Sequence, residues 1–240
     1  MEISQQNQRM QTFLSALYAI LICALIMYLN YVMPYSSDPV TSPGLIQLCF
    51  WLLLYAPVIF SIVFEDWEMT DLGFTLGRRA LIASLICFLL CGSITQMINA
   101  PWYGALIEAF ARTGEEVFVR GFLFLLLLKA FDGKSRPGMW ATLASSLIFT
   151  LIHTQTFQSS YFEGGIETTW RAFLILQRFF DLFLLAAVFG LLRYWTDSIL
   201  PGAILHTVSK GGILALPFCL AIYGGILYWA YVRGERVWID

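Results

Sequence analysis

Charge is what this sequence has least of. Asp, Glu, Lys and Arg together make up 12% of its 240 residues, against 59% hydrophobic and 16% aromatic. A soluble domain carries about 25% charged residues, so a surface dressed for water is excluded. The net charge of -2 leaves no basic stripe, and no nucleic-acid partner is expected. Histidine is scarcer still, with only His153 and His206 in the chain. The five cysteines (Cys23, Cys49, Cys87, Cys91, Cys219) lie inside apolar runs without CxxC spacing, which reads as buried free thiols. Long polar stretches are also missing, so the expectation is one integral membrane domain over residues 1–240, with membrane lipids as its surroundings. The first apolar run has no small-residue cleavage site after it and reads as a retained helix rather than a signal peptide.

What is present is apolar sequence in lengths suited to a bilayer, which takes about 20 residues per helix. Such runs fall at 13–33, 44–64, 80–98, 116–131, 139–155, 172–193, 199–210 and 212–232. The fold class expected is all-α, a polytopic transmembrane bundle of eight spanning helices, the seventh of them short. The stretch from Pro101 to Arg112 reads as a short segment at the outer interface. Basic residues give the orientation. With the N-terminus in the cytoplasm, Arg9, Arg78, Arg79, Lys129, Lys134, Arg136, Arg193, Arg233 and Arg236 fall at inner positions, and only Arg112 and Arg171 in outer loops. That is the positive-inside bias. It predicts a multi-pass protein of the cell membrane with both termini cytoplasmic.

Against this apolar background the ionisable residues stand out, because a charge near the middle of a membrane helix costs about 2.5–3.5 kcal/mol. Glu115 and Glu116 are adjacent, and Arg120 follows Glu116 by one helical turn, close enough to pair along one face. Glu115 points about 100° away from that face. Phe149 precedes His153 by one turn, which stacks ring on imidazole. His206 lies late in a short helix at the same expected side of the membrane. Polar residues clustered near one face, rather than spread through several helices, argue against a transporter or channel.

Glu115-Glu116-xxx-Arg120, then Phe149-xxx-His153, then SILPGAILH ending at His206 resemble the CPBP family of intramembrane proteases (CAAX proteases and bacteriocin-processing, or Abi, proteins). The resemblance covers residues 70–215, expected to form a protease core, with DLGF near Asp71 and the small pair Ala186 and Gly190 as further likenesses. It implies an endopeptidase that cleaves a membrane-anchored protein or peptide. Glu115 would activate water, His153 would hold that water, and His206 would stabilise the oxyanion. Glu116, Arg120 and Phe149 would support them. The family's Asn four residues after the third-motif histidine is replaced here by Lys210, beside Ser209; one of these would then assist His206. No Ser or Cys stands with a histidine in motif context, so an acyl-enzyme is not expected. No cofactor is expected, the alternative being a zinc ion held by Glu115, His153 and His206. The alternative to an enzyme is a catalytically silent relative acting as an immunity or scaffold protein.

Overall fold

In a computed structural model, residues 2–32, 45–63, 68–91, 102–162, 168–208 and 215–234 are described. Every regular element among them is helical, as composition and periodicity predict. In chain order they are α1 (Glu2–Val32), α2 (Leu45–Leu54), α3 (Ala56–Val63), α4 (Arg78–Cys91) and α5 (Trp102–Glu116). A π-helical segment (Val117–Leu123) leads on to α6 (Phe124–Ala130), α7 (Pro137–Phe162), α8 (Thr168–Thr196), α9 (Leu200–Val208) and α10 (Ala215–Arg233).

Three expectations about spans need correction. The run 44–64 is two helices, broken at Tyr55, and proline is the cause. Pro57 has no amide to give the carbonyl of Leu53, and that carbonyl accepts instead from the Tyr18 hydroxyl of α1 at 2.6 Å. Of the run 199–210, Leu200–Val208 form the nine-residue α9, about 14 Å long at 1.5 Å per residue, and residues 209 and 210 lie outside the described residues. The supposed interfacial segment from Pro101 to Arg112 is not separate: from Trp102 to Ala130 the helix runs without interruption through the motif. Within α8, Ala172–Thr196 is long and apolar enough to span a membrane, with a mean hydropathy of 2.0, and among the described residues it is the one helix that is. The structure therefore establishes an all-helical bundle but not eight spans.

Apolar side chains nevertheless cover much of the outside. Phe13, Ile20, Leu85, Trp170, Phe173 and Tyr231 are all exposed, far beyond the scattered apolar residues of a soluble surface. The thiols divide: Cys87 is buried as expected, Cys23 is half-buried and Cys49 is exposed, while Cys91 and Cys219 lie outside the described side chains.

Local chemistry fixes the bundle around its centre. Pro137 opens α7, where its missing amide costs no helical bond. Between α8 and α9, Asp197 adopts a left-handed φ of 55°, which a short polar side chain tolerates. The Ser198 hydroxyl then accepts the Leu200 amide at 3.2 Å and starts α9. The loop carrying DLGF is tied to this turn. Arg193 donates to the Asp71 carbonyl at 2.7 Å and to Asp197 at 2.6 Å, and the Ile199 amide donates to the Gly73 carbonyl at 2.9 Å. The same loop lies against the motif helix at Gly121, where an added Cβ would stand 2.8 Å from the Leu72 carbonyl oxygen. At Gly190 a Cβ would meet Thr142 of α7 at 2.8 Å, the close helix approach expected of the small pair. Phe118, Phe122, Phe149 and Leu54 fill the centre.

Candidate active site

The continuous helix from Trp102 to Ala130 changes its winding at the paired glutamates. Up to Glu116 it is α-helical, and from Val117 to Leu123 it is π-helical. Wide turns of this kind are rare and concentrate at functional sites. In the π segment every residue is buried, Arg120 among them.

Glu116 and Arg120 are both fully buried, with Glu116 Oε2 and Arg120 Nε 4.0 Å apart. Arg120 Nη2 donates to the Ala186 carbonyl of α8 at 2.9 Å. Its guanidinium also lies 5.0 Å from the Phe149 ring and 5.7 Å from the Phe189 ring, contacts that favour a desolvated cation. This pair locks the motif helix to α7 and α8.

Glu115 faces elsewhere. It remains 14% exposed, as do His153 at 18% and His206 at 11%, so these three groups are reachable where Glu116 is not. Glu115 Oε2 lies 3.6 Å from His206 Nε2 and 3.9 Å from His153 Nε2. The other nitrogen of each imidazole is already committed. His206 Nδ1 donates to Glu116 Oε1 at 3.0 Å, and His153 Nδ1 donates to its own helix at the Phe149 carbonyl, 2.8 Å away. A carbonyl or carboxylate can only accept, so the proton of each neutral ring sits on Nδ1. Both Nε2 atoms then turn a lone pair towards Glu115. Phe149 packs on His153 with ring centres 4.3 Å apart, and Phe189 covers His206 at 5.2 Å.

The structure thus brings Glu115, His153 and His206 together from α5, α7 and α9, with Glu116, Arg120 and Phe149 directly behind them. Ser209 and Lys210 lie outside the described residues. Sequence reasoning missed three participants. Arg112, assigned to an outer loop, is in α5, and its Nη1 donates to Glu115 Oε1 at 3.0 Å and to Oε2 at 3.4 Å; its spacing three residues before Glu115 was the available signal. Phe189 is an ordinary apolar residue of α8 in the sequence. Gly202 lets α9 approach, since a Cβ there would lie 3.0 Å from Glu116 Oε2.

The residues also bear on a metal. Glu115, His153 and His206 are the donor types zinc takes, and each histidine has the outer hydrogen bond typical of a ligand. The guanidinium of Arg112 at 3.0 Å, however, already brings positive charge to the carboxylate. Among the described residues no group of three or more His, Cys, Asp and Glu side chains is arranged to hold a metal ion. Arg112 therefore competes with any metal ion for the Glu115 carboxylate.

Comparison with curated proteins and with solved structures gave no match. Comparison with protein families gave one: residues 97–212 match the family described as Type II CAAX prenyl endopeptidase Rce1-like. That stretch holds all three motifs and ends just beyond His206, in agreement with the CPBP resemblance of the sequence. Over residues 97–212 the chain is similar to this family of membrane proteases, which is consistent with a CPBP-type protease.

Proposed function

We propose that this protein is an intramembrane endopeptidase in which Glu115 activates a water molecule to hydrolyse a peptide bond of a membrane-anchored substrate. The observation that carries this reading is the meeting of two imidazole Nε2 atoms at one oxygen of a partly exposed carboxylate, at 3.6 and 3.9 Å. Atoms so spaced share a single bridging water more readily than they bond one another directly.

In this mechanism the water donates one hydrogen to Glu115 Oε2 and is oriented by His153 Nε2. As its oxygen bonds to the scissile carbonyl carbon, its proton passes to Glu115. The carbonyl oxygen becomes an oxyanion, stabilised by His206, whose Nε2 takes up a proton from solvent when substrate binds, together with Lys210 or Ser209. Glu115 then returns the proton to the amide nitrogen, the C–N bond breaks, and an acid and an amine leave. Glu116 holds the His206 ring through Nδ1, and Arg120 holds Glu116.

The family match over residues 97–212 supports one substrate class, a prenylated protein or peptide ending in a CAAX-type sequence and presented at the membrane. The apolar exterior suits a multi-pass protein, and the Lys/Arg bias of the sequence favours a site opening towards the outer side with both termini cytoplasmic. A reporter fused after His153 that reads as cytoplasmic would reverse this orientation.

The test of function is cleavage by the purified protein in nanodiscs. Glu115→Gln, His153→Ala and His206→Ala should each remove cleavage while leaving expression intact; normal turnover by all three would refute the site. A zinc reading uses the same three side chains, and stoichiometric metal in the purified protein, with loss of cleavage on chelation, would establish it over the water-only reading. The replacement of the family's Asn by Lys210 favours a second reading, a silent relative with an immunity or scaffold role. Retained biological effect in Glu115→Gln would support that reading.

A further inference from the structure

The two imidazoles present acceptors, not donors, to Glu115. Both Nδ1 protons are directed away, one to the Phe149 carbonyl and one to Glu116. A carboxylate only 14% exposed that faces two lone pairs needs a donor to fix its rotamer and a cation to offset its charge. Arg120 is committed elsewhere, to the Ala186 carbonyl and the Glu116 ion pair. Arg112 supplies both from one turn upstream, approaching Oε1 more closely than Oε2, 3.0 against 3.4 Å.

We propose that Arg112 is a positioning residue of the active site, holding Glu115 so that Oε2 stands between His153 and His206. This rests on the reading of Glu115 as the base. Arg112 precedes the Glu-Glu-xxx-Arg motif and lies in the α-helical part of the helix, so its i, i+3 reach to Glu115 is set independently of the π-helical segment that carries Arg120. Each of the adjacent glutamates thereby has its own arginine. Arg112 contributes by keeping the base aimed and counter-charged; contact with substrate is not part of its role.

The experiment uses the full chain in nanodiscs and a farnesylated peptide probe with a CAAX-type end, fluorescent on release. Arg112→Gln should lower kcat about 10- to 100-fold, the range for residues that orient a reacting group, with KM nearly unchanged. Arg112→Lys, which keeps the charge but loses the fork, should recover part of that loss. A rise in KM with kcat unchanged would assign Arg112 to substrate binding and overturn the proposal, and so would wild-type kcat in Arg112→Gln.

A second arm needs no turnover. Thermal unfolding is measured for Arg112→Gln, Glu115→Gln and the double variant. Arg112→Gln should shift unfolding in the wild-type background and have little further effect once Glu115 is Gln. Equal shifts in both backgrounds would show that the arginine acts on something other than Glu115 and overturn the proposal. If the wild-type protein leaves the probe uncut while the coupling is present, the clamp stands and the endopeptidase reading on this substrate class falls instead.

Discussion

Glu115 and Glu116 are neighbours with the same side chain, yet the structure gives them opposite surroundings. Glu116 is sealed between Arg120, His206 Nδ1 and the backbone of Gly202. Glu115 keeps 14% exposure, an arginine nearer the surface and the Nε2 edges of two imidazoles. In the proposed mechanism the difference separates two tasks that one motif encodes: an interior pair holds the architecture, and a reachable carboxylate does the chemistry. His206 joins them, with one ring nitrogen on each glutamate. In the proposed mechanism a histidine lying between two carboxylates transmits the position of the buried one to the base.

Substitution tests this division most sharply when the same change is made at both positions. Glu115→Gln should reduce cleavage about 100- to 10,000-fold, the range for loss of general-base catalysis, and leave thermal stability close to wild type. Glu116→Ala should do the reverse in the first instance. It leaves the Arg120 guanidinium buried without its carboxylate, a change that costs about 3–5 kcal/mol, so unfolding temperature and membrane yield should fall before activity can be compared. If instead Glu116→Ala folds normally and Glu115→Gln unfolds, the roles assigned here are interchanged.

Much of this site was legible because chemistry-bearing residues are scarce in the chain. With two histidines available and a carboxylate pair one turn from Arg120, few constellations could be built. The ring contact of Phe149 with His153 also followed from their four-residue spacing. What escaped was helix continuity and rotation. Hydropathy drops over the polar run from Arg112 to Glu116, so a reading by apolar content ends the helix there and places Arg112 in a loop. The backbone does not stop, because those polar groups find partners inside the protein. The π-helical winding was equally hidden, since a fully apolar stretch such as Val117–Val119 has no polar side from which its period can be read. That His206 donates to Glu116 while facing Glu115 depends on the axial rotation of two helices, to which sequence spacing is blind. The break at Tyr55 did have a signal in Pro57, outweighed by the length of the apolar run.

The smallest expected effect falls on the link between the two glutamates. Gly202 has no role in hydrogen bonding to either one, but its lack of a side chain sets how near α9 comes to the motif helix. A Cβ at this position would lie 3.0 Å from Glu116 Oε2, tighter than an ordinary contact, and Glu116 has little room because it is fully buried. Gly202→Ala should therefore cost about 1–3 kcal/mol of stability, the usual range for overpacking. The strain should move Glu116 or α9 by a few tenths of an ångström and lengthen the contact to His206 Nδ1. Turnover should then fall modestly, with Glu115 itself untouched. A variant that loses stability but keeps full kcat would show that the Glu116–His206 contact positions nothing needed for chemistry. In that case the two carboxylates function independently, and His206 is oriented by its aromatic neighbours Phe149 and Phe189 alone.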